Sequence, residues 1–150
     1  TLPQKFDMVT CLQTLAYLEN PEIALKNINK SLNKDGYFIV AVPNAKFEPI
    51  MANGKSAYKN RLHSFTLAQT EKMLKENGFN ILEKFGQALS VKLFHREFEI
   101  IDAYDFSEKK VKSYYKNDKE YIEYFSRLFA YPVKGECQKS NSMIFICQKA

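Results

Sequence analysis

Apolar positions along the chain alternate between two patterns, and the alternation itself predicts an α/β architecture. Residues 6–11, 37–42, 79–85 and 142–148 are short, nearly continuous apolar runs such as Tyr37-Phe38-Ile39-Val40-Ala41-Val42. Runs of that length without polar alternation read as strands covered on both faces. Between the first two lies a helical pattern. Ala24, Leu25, Ile28 and Leu32 share one helical face. Asn20 is placed to cap its start, Pro21 fits the first helical position, and Glu22 complements the dipole. Lys30 and Lys34 lie toward its other end, where Gly36 is expected as a left-handed cap. Strand, helix and strand in this order form a βαβ unit with parallel strands and a right-handed crossover. Pro43-Asn44 stops the second strand. Two parallel strands cannot bury both faces alone, so further strands must flank them.

Residues 45–62, with Pro49, Asn53 and Gly54, read as a loop with room for a short helix. Thr66 and Gln69 then form a capping-box pattern, Leu67, Met73 and Leu74 supply an apolar face, and Gly78 is expected just past the helix end. Residues 87–140 interrupt the alternation. Val91, Phe94, Phe98 and Ile101 recur at helical spacing, and a second helix is expected after Ser107. The segment reads as a helical insertion before the last strand, within a single domain spanning 1–150. Its aromatic stripe is read as a helical-hairpin core, with a substrate lid or dimer surface as the sharper alternative.

Composition narrows the class. The chain has 150 residues, 45% hydrophobic and 26% charged, as in a globular domain. No apolar stretch approaches the roughly 20 residues that span a bilayer. The net charge of +5 is spread over alternating Lys and Glu, which reads as a solvated surface rather than a nucleic-acid footprint. Cys11, Cys137 and Cys147 are an odd number without CxxC spacing, which fits a reducing cytoplasm and neither a disulfide framework nor a zinc site. No His pair or carboxylate cluster has metal-ligand spacing.

One stretch has a wider likeness. "FDMVTCLQTLAYLENPEIALKNINKSLNKDGYFIVAVPN" resembles the fourth- and fifth-strand region of the class I S-adenosylmethionine-dependent methyltransferases. Leu12, Leu15, Leu18, Asn20, Pro21, Leu25, Ile28, Leu32, Gly36 and Pro43-Asn44 match in place, and His63, Phe65, Thr66, Leu74, Gly78 and Phe79 follow the downstream pattern. The likeness implies a partial Rossmann-like sheet: the last four strands of the fold, the final one antiparallel. It further implies S-adenosylmethionine as methyl donor and a small molecule, glycan or lipid precursor as acceptor. The family's glycine-rich loop and the acidic residue for the cofactor ribose have no counterpart here. The chain therefore reads as a C-terminal half, inactive by itself, with a homodimer partner or a missing N-terminal half expected beside the first strand. A non-catalytic interaction module derived from the fold is the rival reading. Carried over by position, Cys11, Leu12, Gln13 and Tyr17 would line the cofactor crevice, and Asn44 and His63 the substrate side. For Cys11, Leu12 and Tyr17 packing is the competing reading, for Asn44 a turn, and for His63 a surface loop. Many relatives carry Glu and His where Gln13 and Tyr17 stand. The remaining candidate base is His63, since imidazole titrates near neutral pH while a phenol does not.

Overall fold

The computed structural model describes residues 4–47, 60–89, 91–93, 96–98, 119 and 132–150. Strand β1 (Phe6–Leu12) leads through a 3-10 turn (Leu15–Tyr17) into helix α1 (Pro21–Ser31) and strand β2 (Leu32–Pro43). A second 3-10 turn (Ala45–Phe47) follows, then helix α2 (Leu67–Glu76) and strand β3 (Phe79–Leu89). Two short strands, β4 (Val91–Leu93) and β5 (Arg96–Phe98), pair as a separate antiparallel hairpin. Strand β6 (Val133–Lys134), a 3-10 turn (Cys137–Lys139) and strand β7 (Ser140–Lys149) complete the order.

Five strands form one sheet in the order β1-β2-β7-β3-β6. β1 and β2 are parallel, as the βαβ reading requires. β7 inserts antiparallel between β2 and β3, so β3 runs the same way as β1 and β2. The four expected strands are all present and the last is antiparallel.

Local chemistry accounts for the helix limits. Asn20 Oδ1 accepts from the Ile23 amide at 3.1 Å, and Pro21 opens α1. At α2 the Thr66 hydroxyl accepts from the Gln69 amide at 3.2 Å while Gln69 Oε1 accepts from the Thr66 amide at 2.9 Å. Gly78 takes φ 78°, where a side chain would be strained, and so ends the helix as expected. Gly36 does not have the role the sequence assigns it. α1 already ends at Ser31, the left-handed residue is Asp35 at φ 61°, and Gly36 lies inside β2. A side chain at Gly36 would press on the Asn33 carbonyl at 3.1 Å, Leu32 Cδ2 at 3.2 Å and the Asp7 carbonyl at 3.3 Å, so the glycine serves close approach both to the turn before it and to β1.

The expected helix over 91–101 is also corrected. Residues 91–93 and 96–98 are extended and paired. Val91 and Leu93 are spaced by two as well as fitting a helical stripe, and short runs do not separate the two periods. β6 is likewise extended, and Cys137–Lys139 form a single 3-10 turn. The helix expected after Ser107 and the surroundings of His95 fall outside the described residues.

The core lies on one side of the sheet. Phe38, Val40, Val42, Met143, Phe145 and Cys147 are buried under Leu25 of α1, Leu74 of α2 and the turn residues Leu15 and Ala16. The strand register sends Met8, Leu12, Tyr37, Ile39, Ile144 and Ile146 to the other face. There Met8 is 55% exposed, Leu12 59% and Tyr37 43%. β1 also borders the sheet with no strand beyond it among the described residues. An apolar face and an open parallel edge thus meet at β1.

Burial of the thiols predicts an alkaline limit to stability. Burial alone pushes the Cys147 thiol up to about 12 from its ordinary 9.0. The folded state therefore holds this proton more tightly. The resulting stabilisation is complete below pH 9 and is lost as pH rises through the folded value. Urea midpoints should be flat from pH 7 to 9 and fall from pH 9 to 11. A midpoint unchanged at pH 11 would contradict burial of this thiol.

Candidate functional site

The carboxyl ends of β1, β2 and β3 lie along one edge of the sheet, and β7 begins there at Ser140. In open α/β sheets ligands bind outside the carboxyl ends of the strands. The fold brings the sequence-predicted residues to this edge from four separate segments. Cys11 and Leu12 end β1, Gln13 starts the following turn, and Tyr17 closes the 3-10 turn. Asn44 follows β2, and its bridge to Phe65 draws the loop before α2 alongside. In that loop the Leu62 and His63 amides both donate to the Ala16 carbonyl, at 2.9 and 3.0 Å.

Their surroundings differ. Cys11 is half-buried, and burial raises its thiol pKa. Leu12, the last residue of β1, exposes an apolar side chain on the face the helices leave uncovered. Gln13 has φ 57°, donates its amide to the Ala41 carbonyl at 2.8 Å and its side-chain Nε2 to Ser142 Oγ at 2.6 Å. Tyr17 is 43% exposed, with the Arg61 guanidinium 5.9 Å above its ring.

Asn44 is 4% exposed. Its Nδ2 donates to the Cys137 and Ser140 carbonyls at 3.0 and 2.8 Å, and its Oδ1 accepts from the Lys46 amide at 3.0 Å. These bonds clamp the end of β2 to the root of β7. Asn44→Ala would leave a buried carbonyl without its partner and should cost about 2 kcal/mol. Thermal unfolding with a midpoint shift under a degree would refute the clamp.

His63 Nε2 lies 2.9 Å from the Leu18 carbonyl and therefore donates to it, leaving Nδ1 as the acceptor nitrogen. Its ring stacks on Phe65 at 5.9 Å. It lines a surface cleft of about 570 Å³ between the start of α1 and α2, with Glu19, Glu22, Gln69, Lys72 and Glu76. The anchored Nε2 fixes the ring, so only Nδ1 is available as a base.

Sequence reading missed the serines. Ser140 and Ser142 are buried polar residues at the root of β7. The Ser140 hydroxyl has the Cys137 and Ser142 carbonyls at 3.0 and 2.9 Å and shares its one proton between them. The signal available was their position: three polar residues, Ser140-Asn141-Ser142, immediately before the apolar run Met143–Cys147. Among the described residues no group of His, Cys, Asp and Glu is arranged to hold a metal. No helix among them is long and apolar enough to cross a membrane.

With this geometry in view, the comparisons with known proteins define the class. A family model described as a methyltransferase domain matches residues 2–84. The chain belongs to that methyltransferase family. No curated protein sequence matches it. Solved structures match in fold. An S-adenosylmethionine-dependent methyltransferase from Thermotoga maritima, described as a possible histamine N-methyltransferase, aligns with a TM-score of 0.60 at 17% identity, over 100% of this chain and 60% of its own. The [4+2]-cyclase SpnF aligns at 0.53 and 18% identity, over 99% of this chain and 53% of its own. A methyltransferase solved with the Haloferax volcanii Trm112 methyltransferase activator aligns at 0.54 and 13% identity, over 99% and 57%. The chain thus spans little more than half the length of these proteins. At such identities the likeness establishes the class I methyltransferase fold alone, and the cyclase shows that the fold does not fix the chemistry.

Proposed function

We propose that this chain is the C-terminal part of an S-adenosylmethionine-dependent methyltransferase acting on a small molecule, glycan or lipid precursor. The observation that carries the reading is the carboxyl-edge cluster, which sits beside an open parallel strand edge within a methyltransferase sheet. The residues there fit one wall of a nucleoside site. Leu12 offers exposed apolar surface for a flat ring, while half-buried Cys11 faces the core and holds the end of β1 from the opposite side of the sheet. When bound, the cofactor supplies an electrophilic methyl group. The contribution of this chain is then positioning, which can be worth about 7–11 kcal/mol of a barrier. The apolar wall at Leu12 excludes water from one side, and His63 Nδ1 is the acceptor for a proton leaving the substrate. β3 ends and β7 begins at the same edge, which supports assigning the choice of acceptor to the segment joining them.

Calorimetric titration with S-adenosylhomocysteine tests the reading. The chain alone should bind weakly or not at all. The longest polypeptide encoded in its reading frame should bind with micromolar affinity. Micromolar binding by the chain alone would overturn the claim that the site is completed from outside it.

A second reading is favoured by the exposure of Met8, Leu12 and Tyr37. An uncovered apolar face beside an open edge recruits another strand, so a non-catalytic module that pairs with a second copy would use this surface. Light scattering of the chain at high concentration separates the two. A dimer supports the module, and a monodisperse monomer counts against it.

A further inference from the structure

We propose that Gln13 is a positioning residue, locking the turn after β1 to the root of β7 and so fixing the wall that Leu12 presents to the crevice. The inference rests on the reading of that crevice as a nucleoside site. Two independent observations meet at Gln13. The first is its backbone. Among the described residues three non-glycines have positive φ: Gln13, Asp35 and Asn60. Asp and Asn enter the left-handed region readily because a short polar side chain bonds to nearby backbone. Glutamine has no such local relief. Strained residues persist where the surroundings over-determine them, and they concentrate at functional sites.

The second observation is where the side chain goes. The Gln13 amide bonds to Ala41, extending the parallel ladder by one step. The side chain then passes over the end of β2 to Ser142, 129 residues away in sequence. Ser142 pairs with Pro43, so the bond spans the whole width of β2. Ser142 is 5% exposed, and its carbonyl accepts from Ser140, whose own carbonyl accepts from Asn44. Gln13 is thereby tied into the polar network that anchors β7. On the other side of the turn, the Thr14 hydroxyl donates to the Leu12 carbonyl at 3.1 Å. The turn is held at both ends, one tie closing on the Leu12 carbonyl and the other starting at the next residue. Glycine at position 13 would make the same turn without strain. The longer residue adds only the tie to β7, and that tie is the feature a crevice wall of fixed height requires.

The experiment uses the longest polypeptide of the reading frame, with S-adenosylhomocysteine affinity by calorimetry and thermal midpoints read together. Gln13→Gly keeps the left-handed backbone and removes the bond, while Ser142→Ala removes the partner. Each should weaken binding about fivefold, the effect of one lost hydrogen bond. The double variant should be no weaker than either single one, because one interaction is lost in all three. Gln13→Glu should restore affinity to within about twofold of the original, since the Ser142 hydroxyl can turn and donate to a carboxylate. The Gln13→Gly midpoint should move little, since glycine relieves the strain that the lost bond had offset, while Ser142→Ala keeps that strain and should lower its midpoint together with its affinity. Unchanged affinity in Gln13→Gly, losses that multiply in the double variant, or lowered midpoints with unchanged affinity would each overturn the proposal. If the unmodified polypeptide binds no S-adenosylhomocysteine, the nucleoside reading falls and this inference with it, an outcome distinct from the variants failing to differ.

Discussion

Phe38→Ala should destabilise the chain by about 3–5 kcal/mol, the range for removing a buried aromatic side chain. Phe38 is fully buried at the centre of the covered face of β2. Its ring lies 4.8 Å from that of Phe79, tilted by 35°. On either side it is paired with Val9 of β1 and Cys147 of β7. Backbone pairing holds these three strands at fixed spacing, so the neighbours cannot collapse into the vacated volume, and the cavity term adds to the lost burial. Single domains have only about 5–15 kcal/mol of net stability. A sheet with one apolar face half-exposed belongs toward the lower end, so the variant should keep no more than about 2 kcal/mol and be partly unfolded at room temperature. Near-ultraviolet dichroism would report the loss. The neighbouring Tyr37→Ala is the control. Tyr37 points to the opposite face and is 43% exposed, so its removal should cost under about 1 kcal/mol. Equal costs at the two positions would mean that the covered and uncovered faces are wrongly assigned.

The contrast between these two adjacent residues also shows what the sequence could convey. The run 37–42 is apolar at every position, so it announces a strand buried on both sides. It does not say which face α1 and α2 cover, because both faces carry the same kind of residue. Helix limits were legible where one side chain closes a bond within three residues, as at Asn20 and at Thr66 with Gln69. Gly36 misled because a glycine after a helical stripe usually caps it, whereas here its use is close approach to the Asn33 and Asp7 carbonyls. Residues 91–98 misled because short apolar runs satisfy both periods. The polar clamps were illegible for a different reason. Asn44 meets Ser140 across 96 residues and Gln13 meets Ser142 across 129. No local pattern encodes a partner that only sheet topology brings close. The candidate positions at the carboxyl edge came from family resemblance, and the bonds that hold Gln13, Asn44 and His63 became visible only in the fold.

The root of β7 is also where a single added methyl group should be most damaging. At Gly86 in β3, a Cβ atom would lie 2.4 Å from the Glu136 carbonyl oxygen, 2.7 Å from its carbon and 2.8 Å from Ser140 Cβ. Two of the three are backbone atoms, which no rotamer change can move aside. The turn that carries them is itself fixed. The Gly135 amide donates to the Lys84 carbonyl at 2.8 Å, and Gly86 pairs with Val133 on one side and Met143 on the other. Gly86→Ala must therefore displace the 3-10 turn at Cys137–Lys139 or separate β3 from β6, at a cost of about 3 kcal/mol, the upper end for overpacking. Gly135→Ala is the comparison that lacks the steric clash. Gly135 has φ 79°, but a Cβ there would meet nothing within 4 Å, so only backbone strain of about 1 kcal/mol is expected. Urea midpoints should rank the original chain above Gly135→Ala, and that variant above Gly86→Ala. Amide exchange at Ser140, Ser142 and Met143 should quicken in Gly86→Ala alone, because the displaced turn carries the Cys137 and Ser140 carbonyls that Asn44 holds. A Gly86→Ala protein as stable as the original would show that β3 does not approach this turn, and the anchoring of β7 at the crevice edge would lose its geometric basis.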